Sequence, residues 1–114
     1  MLSRQGASAP GRLRQRLDLE TATPTPDGAG GSTLTWSLVA AVSAEVVQLK
    51  ADERRIGEGL ADLVTHRITV RHRDDVAPGD RFKRGARLFR IRGLTDPQED
   101  GRFLVCLCEE EGGS

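Results

Sequence analysis

Four side chains in the sequence could bind a soft metal ion: His66, His72, Cys106 and Cys108. Structural zinc takes four such ligands, but the spacing of these four matches no familiar zinc motif. The two cysteines stand two residues apart in VCLC, so on a strand they share one face at about 7 Å, too far for a disulfide between them. They are predicted to be small buried hydrophobic residues, and no metal or cofactor is expected.

The serines and cysteines do not have the sequence settings of catalytic nucleophiles, and the glycines do not form a phosphate-binding motif. No serine has the G-x-S-x-G setting of a nucleophile elbow, and neither cysteine lies in an exposed electropositive loop. The glycines of DGAGG lack the preceding strand and following helix that a phosphate-binding loop requires. We therefore expect a protein that is not an enzyme.

The strongest chemical signal is a row of arginines in RITVRHRD. Arg67, Arg71 and Arg73 alternate with apolar residues, so one face of a strand would carry guanidinium groups. The opposite face is predicted to be buried and consists of His66, Ile68, Val70 and His72. Guanidinium groups bind carboxylates at protein interfaces and phosphates on nucleic acids, so both kinds of partner are candidates.

The charge of the whole chain argues against nucleic acid. Lys+Arg and Asp+Glu number 17 each, so no long-range field would draw the chain to DNA or to an anionic membrane. Basic residues concentrate between Arg67 and Arg92, and acidic residues follow between Asp96 and Glu111. Separated patches of opposite sign suit association with copies of the chain or with a charged neighbour.

A β-barrel that binds single-stranded nucleic acid stays open as the alternative. Such proteins stack bases on exposed aromatic rings. Here Trp36, Phe89 and Phe103 fall in alternating patterns that predict burial. The second predicted strand places the following residues on one face: Trp36, Leu38, Ala40, Val42, Ala44 and Val46.

The remaining sequence predicts a small, mainly β domain. A chain of 114 residues supports one modest core, so we expect one domain at residues 11–111 between a flexible arm at 1–10 and a flexible tail at 112–114. Period-two alternation predicts about five strands, within residues 12–20, 36–49, 66–74, 87–93 and 102–110. They would form a small antiparallel β-barrel or rolled sheet.

Two segments interrupt the predicted strands. Residues 21–33 contain two prolines and an Asp-Gly turn signal, and they are predicted to be one long exposed loop. Residues 51–64 space Ile56, Leu60, Leu63 and Val64 near a helical turn and predict one short helix, with an irregular segment as the alternative because Gly57 and Gly59 weaken the helix. No apolar run is long enough to cross a bilayer and no signal peptide is evident, so synthesis in a cytoplasm is expected.

Segments over about residues 11–110 resemble, in order, those of the phage head-tail joining family of connector proteins. GRLRQRLDLE is similar to the family's opening strand, and DGAGG followed by Trp36 and VAAVSAEV resembles its glycine-rich turn and second strand. THRITVRHRDDVAPGDRF is the most specific match. ARLFRIRGLTDPQEDGRFLVCLCEE is similar to the family's final segments.

The resemblance implies a head completion protein of the stopper type. Six or twelve copies would form a ring in the neck of a tailed phage or gene transfer agent particle, assembled in the bacterial cytoplasm. The ring would lie between a portal-side adaptor and a tail terminator or tail tube protein, without membrane contact, and would close the DNA exit channel.

The resemblance also implies roles for individual residues. The long loop would reach the channel and touch packaged DNA transiently, through Pro24, Pro26, Asp27, Gly28, Gly30 and Gly31. Subunit contacts are expected at Arg67, Arg71, Arg73, Arg90, Arg92, Asp96, Glu99 and Asp100. Glu109, Glu110 and Glu111 are further candidates for the acidic side of that contact.

Overall fold

The computed structural model describes residues 13–50, 64–96 and 101–111. Its six strands are β1 Gln15–Pro26, β2 Ser32–Gln48, β3 His66–Arg71, β4 Arg81–Arg84, β5 Arg87–Thr95 and β6 Phe103–Glu111. Every pairing is antiparallel, and the sheet closes as a barrel in the order β1-β2-β3-β6-β5-β4. The mainly β, antiparallel prediction is confirmed.

The sequence did not predict β4, which has only four residues. The predicted arm at 1–10, the predicted tail at 112–114 and all but the last residue of the predicted helix at 51–64 lie outside the described residues. Within the described ranges, no helix has the length and apolar character that a bilayer crossing requires.

The inward side of the sheet forms the main core. Alternate residues of every strand point inward, and the largest are Phe82 and Phe89, which are paired across β4 and β5 and are 0% and 1% exposed. The other members are Leu17, Leu19, Val42, Ala44, Ile68, Val70, Val76, Ile91, Leu104, Cys106 and Cys108. A second cluster, Leu49, Val64, Val105 and Leu107, lies on the outward side, which is why β6 is apolar on both faces.

Both cysteines are free thiols that point into the main core. Burial raises the pKa of Cys106 to about 12 and that of Cys108 well above its ordinary value. A thiol with a raised pKa is a poor source of the reactive thiolate. The prediction that these residues act as small hydrophobic side chains is confirmed.

The predicted loop at residues 21–33 is mostly wrong, because β1 and β2 continue through it as a hairpin. Only residues 27–31 form the turn, and the pairs Pro24↔Leu34 and Pro26↔Ser32 belong to the ladder. Proline is tolerated in a strand where its missing N–H would have pointed away from the partner strand. The intervening threonines favour the extended backbone. The prolines and glycines predicted a loop where the chain forms two paired strands.

The hairpin projects beyond the barrel. Strand β4 pairs with β1 only as far as Glu20↔Arg81, and β3 pairs with β2 only from Ala44 onward. From Thr21 to Pro26, β1 therefore has β2 as its single neighbour among the described strands. Six residues of strand extend about 20 Å.

A β-bulge lies where the hairpin leaves the barrel. Leu19 pairs with Ala40 but Glu20 pairs with Leu38, so Val39 is an extra residue on β2. An extra residue reverses which side of the sheet the following side chains occupy. The prediction that Trp36 and Leu38 share the face of Val42 is therefore wrong, and Leu38 is 64% exposed.

Candidate assembly surface

Two arginines on the outward side of β3 have no carboxylate partner within the part of the chain that the structure describes. Arg71 is exposed and Arg67 is half-buried, and neither makes an ion pair with another described residue. His66 is buried as predicted, but His72 is exposed, which corrects the prediction for that residue. Strand β3 ends at Arg71, and the His72 N–H donates to the Arg102 carbonyl, so the alternation stops there.

Arg73 is already engaged within its own chain. Its Nε and Nη2 each donate a 2.8 Å hydrogen bond to the Asp75 carboxylate. This bidentate contact lowers the pKa of Asp75 and raises that of Arg73. Of the three arginines that the sequence grouped together, only Arg67 and Arg71 lack a carboxylate partner among the described residues.

A charged row crosses the outward side of four adjacent strands. Its members are Glu20, Arg81, Arg90, Arg92, Glu109 and Glu111. The register places Glu20 opposite Arg81, Arg81 opposite Arg90, and Arg90 opposite Glu109. Ion pairs join Arg81 to Glu20 at 2.7 Å, Arg92 to Glu109 at 2.5 Å, and Arg90 to Glu111 at 3.4 Å. Arg90 and Arg92, predicted to meet another subunit, thus have partners in the same chain.

Glu110 is paired in the same way. Arg87 donates from Nε and Nη2 to its carboxylate at 2.9 and 3.1 Å, and this contact lowers the pKa of Glu110. The buried His66 ring adds a weaker contact, with Nε2 3.9 Å from Glu110 Oε1. The three glutamates predicted as an acidic docking partner are therefore all ion-paired within the chain.

Asp96 closes the connection that leads to β6. Its Oδ2 accepts the N–H of Gly101 at 3.0 Å, and its Oδ1 is buried with no hydrogen-bond partner among the described residues. The other two acidic residues predicted in this connection, Glu99 and Asp100, lie outside the described residues.

The residues predicted to touch the channel form the hairpin turn and the strand before it. Asp27 Oδ1 accepts the N–H of Ala29 at 2.8 Å and that of Gly31 at 3.1 Å, and these bonds lower the pKa of Asp27. Gly28 and Gly30 have φ of 82° and 87°, a region that glycine adopts most readily. Their immediate role is to build a tight turn at the tip.

The hairpin has two chemically different sides, which sequence reasoning missed. Directly paired residues share a side, so the register separates two sets. The apolar side carries Ala22, Pro24, Leu34, Trp36 and Leu38. The hydroxyl side carries Thr21, Thr23, Thr25, Thr33, Thr35 and Ser37. Threonine and serine alternate with apolar residues in TATPT and STLTWS, which would have predicted the two sides. The prolines and glycines nearby instead predicted a loop.

Trp36 fixes the base of the hairpin against the charged row. The guanidinium carbon of Arg81 lies 4.0 Å from the indole centroid and that of Arg90 lies 5.0 Å from it. Cation–π contacts of this kind contribute about 0.5–2 kcal/mol each. On the other side, the Thr21 hydroxyl donates to Asp80 Oδ1 at 2.8 Å. The hairpin is thus anchored at its base, while its tip has no such contacts among the described residues.

An open cavity lies where β2 and β3 diverge. It has a volume of about 370 Å³ and is lined by Ala41, Val42, Ser43, Val70, Arg71, His72 and Arg73. Strand pairing between β2 and β3 stops at Ala44↔Val70. Arg71 therefore stands beside a stretch of β2 edge that has no strand neighbour among the described residues, whereas Arg67 lies opposite Val47 within the ladder.

Neither metal binding nor base stacking fits the described residues. They contain no group of three or more His, Cys, Asp or Glu side chains able to hold a metal ion. Phe82, Phe89 and Phe103 are buried, as predicted for the last two, whereas Trp36 is only half-buried and has the guanidinium groups of Arg81 and Arg90 over its ring. The three phenylalanine rings therefore offer no free face for stacking on a base, and the ring of Trp36 is already in contact with guanidinium groups.

The described residues thus form a small closed sheet with internal ion pairs, a projecting hairpin and two arginines that lack a carboxylate partner within the described ranges. A family model described as phage head completion protein matches residues 9–111. The chain belongs to this family of structural virion proteins, and the resemblance drawn from its sequence is confirmed.

Two solved structures are similar to the chain. One comes from the virion of a native gene transfer agent particle and is 35% identical, with a TM-score of 0.63. The match covers 85% of this chain and 94% of that chain. The other is the solution structure of protein SF1141 from Shigella flexneri 2a. It is 28% identical, with a TM-score of 0.71, and the match covers 94% of this chain and 100% of that chain. No curated protein matches the chain.

Proposed function

We propose that the chain is a stopper-type head completion protein that forms a ring between the portal-side adaptor and the tail. The ring closes the DNA exit channel and docks the tail terminator or tail tube protein in the neck of a phage or gene transfer agent particle. The observation that carries the proposal is family membership over residues 9–111, supported by Arg67 and Arg71 on the outward side of β3, which pair with no carboxylate of the described ranges.

The contact between copies depends mainly on Arg67 and Arg71. An arginine already held by a carboxylate of its own chain gains little from a second one, and this applies to Arg73, Arg90 and Arg92. Exposed ion pairs contribute about 0–1 kcal/mol each. Repeated around six or twelve interfaces, they set register and partner choice more than affinity. Asp96, Glu99 and Asp100 remain the proposed acidic counterpart, because Glu109, Glu110 and Glu111 are occupied.

The hairpin is the proposed channel element. Its tip, with Pro24, Pro26, Asp27, Gly28, Gly30 and Gly31, carries no cation, so it has nothing that would bind DNA phosphates or release their counterions. Such a segment can touch packaged DNA transiently without gripping it. Assembly of the particle is proposed to take place in the bacterial cytoplasm.

Charge reversal at Arg71 tests the ring contact. Arg71→Glu should leave the circular dichroism spectrum unchanged, because the side chain is exposed, and should abolish incorporation into particles that lack the native chain. The matched control is Lys83→Glu, an exposed cation on β4, the strand opposite β3 in the barrel. Normal incorporation of Arg71→Glu would contradict the proposed contact.

Filter binding separates this function from the nucleic-acid alternative. A protein that holds single strands through phosphates loses affinity steeply as salt rises. We expect no retention of single-stranded DNA at either low or moderate salt. Tight, salt-sensitive retention would favour the alternative.

A further inference from the structure

The gap between β2 and β3 has an apolar floor. The last pair of that ladder is Ala44↔Val70, and beyond it the cavity of about 370 Å³ lies between the two strands. Val42 and Val70 line the cavity and belong to the main core. An apolar side chain placed in this gap would therefore leave water and meet apolar neighbours.

The backbone of β2 presents hydrogen-bonding groups to the gap. Just past the end of β2, the Leu49 N–H donates to the Thr65 carbonyl on the β3 side. Backbone groups of alternate residues in a strand point to the same edge, so those of Ala41 also point toward the β3 side. No described strand pairs with Ala41 there. Its N–H and carbonyl are thus placed to pair with an added strand.

The hairpin blocks its other edge. The Asp27 N–H donates to the Gly31 carbonyl, so by the same alternation Pro24 and Pro26 occupy positions whose backbone groups point away from β2. Prolines at such positions prevent strand addition along the β1 edge. The segment from Ser32 to Ser43 has neither a proline nor a charged residue. Of the two hairpin edges, the β2 edge is therefore the one that can accept a strand.

Two arginines lie at the outward rim of the gap. Arg16 is opposite Ser43 in the register, and its Nη1 donates to the Ser43 hydroxyl at 3.2 Å. Ser43 and Arg71 both line the cavity. Neither arginine forms an ion pair with a carboxylate of the described residues. The outward rim is therefore cationic and complements a carboxylate.

The carboxylates nearest to Arg71 in the sequence do not neutralise it. Asp75 is held by Arg73 in the bidentate contact described above. The Asp74 side chain is 99% exposed and lies 3.9 Å from Nδ1 of His72. The charge of Arg71 is thus available to a group that enters the gap.

These features define the occupant by its chemistry. In an added strand, every second side chain would point to the floor and the others to the outward rim. We propose that the gap binds an extended peptide segment in which an acidic residue, facing Arg71 and Arg16, is flanked by apolar residues. The β2 edge of a second copy brings no carboxylate, and a nucleic acid strand cannot continue a β-ladder. The proposal goes beyond the proposed function, because binding such a segment does not require a ring.

Nuclear magnetic resonance of the isotope-labelled full chain tests the site. The probe is a short peptide with blocked ends in which valines alternate with threonines and a glutamate replaces the central threonine. Its binding should shift the Ala41 amide signal and slow the exchange of that amide hydrogen. The matched peptide with glutamine at the centre should bind about fivefold more weakly, as expected for the loss of one exposed ion pair. Equal affinities, or no change at Ala41, overturn the proposal.

Two variants separate the backbone contact from the charge. Ala41→Pro removes the edge N–H and should abolish binding of the glutamate peptide, with circular dichroism as the check that the fold is kept. Arg71→Gln should lower the affinity for the glutamate peptide by about fivefold. The control Lys83→Gln, an exposed cation on β4, should bind like the wild type. Unchanged binding by folded Ala41→Pro, or by Arg71→Gln, overturns the proposal.

Hydrogen exchange of the chain without peptide completes the test. The Ala41 amide should exchange rapidly at every protein concentration. Protection in the free chain would mean that the chain itself fills the gap, and protection that rises with concentration would mean that a second copy does. Either result overturns the proposal. These measurements use the isolated chain, so their outcome is independent of incorporation into particles, which tests the ring.

Discussion

The barrel and the hairpin of this chain solve the problem of a water-exposed sheet in opposite ways. On the barrel, charged side chains of β5 and β6 lie on the outward side and are paired with one another, as in Arg92 with Glu109. On the hairpin, the same side of the sheet carries exposed leucines and no charge. The outward charges of β5 and β6 are therefore paired within one copy, whereas the leucines of the hairpin stay exposed.

The largest expected difference concerns packing. Phe82→Ala in the barrel should lower the free energy of unfolding by about 3–5 kcal/mol, because a fully buried ring leaves a cavity. Leu38→Ala in the hairpin should change it by less than about 0.5 kcal/mol. Urea denaturation of both variants makes the comparison. Similar losses would mean that the hairpin leucine is packed within the single chain.

The junction between the two regions should show an intermediate effect. Arg81→Leu leaves Glu20 without its partner and removes one guanidinium from Trp36, so we expect a loss of about 1–3 kcal/mol. Trp36 is the only tryptophan, so its fluorescence reports on this junction directly. Arg81→Lys, which keeps the charge, should lose less; an unchanged spectrum in Arg81→Leu would show that the stack does not hold the hairpin.

The ion pairs of the barrel should contribute a smaller, pH-dependent stability. Because Arg87 lowers the pKa of Glu110 below its ordinary 4.5, the stabilisation is present above that ordinary value and is lost as the pH falls through the lowered one. Glu110→Gln should therefore cost up to about 1 kcal/mol near neutral pH. The difference from the wild type should close in acid.

Arg87→Gln serves as the matched variant for this pair, since it removes the same contact from the other side. Its stability should differ from that of the wild type with the same pH dependence. A constant difference across the acid range in either variant would contradict the ion-pair explanation.

The smallest effect is expected at the hairpin tip. Asp27→Ala removes the acceptor for the N–H groups of Ala29 and Gly31, so their amide hydrogens should exchange faster while global stability stays unchanged. Asp27→Asn, which keeps an acceptor oxygen, should exchange like the wild type. Unchanged or slower exchange in Asp27→Ala would show that these bonds do not hold the turn, whereas a global destabilisation would show that the tip is coupled to the barrel.

Alternation predicted the barrel well because its strands follow a simple rule. The inward residues of β1, β3 and β6 recur at every second position, and burial of both cysteines followed from the same period. Strand β4 was missed because four residues give too short a pattern. The hairpin was read as a loop because proline and glycine outweigh threonine in local propensity, although its prolines occupy edge positions where they cost little.

The candidate site was predictable in composition but not in pairing. The sequence shows that Arg90, Arg92 and three glutamates exist, yet whether they pair within a copy depends on the register of β5 against β6. That register includes an irregularity between Ile91 and Gly93, which no local pattern reveals. The side of the sheet that Trp36 occupies was likewise not predictable, because it is set by one extra residue, Val39, in the same strand.

Because of that extra residue, Val39, a single insertion could change which side of the sheet the hairpin residues occupy. One additional amino acid placed after Leu19 would give Val39 a counterpart and restore an uninterrupted ladder. Every hairpin residue beyond the insertion would then change sides. Leu34 and Leu38 would take the side now held by the threonines, although no existing residue had been replaced. The orientation of the whole projecting arm is therefore encoded by the difference in length between two strands, independently of what the arm is made of.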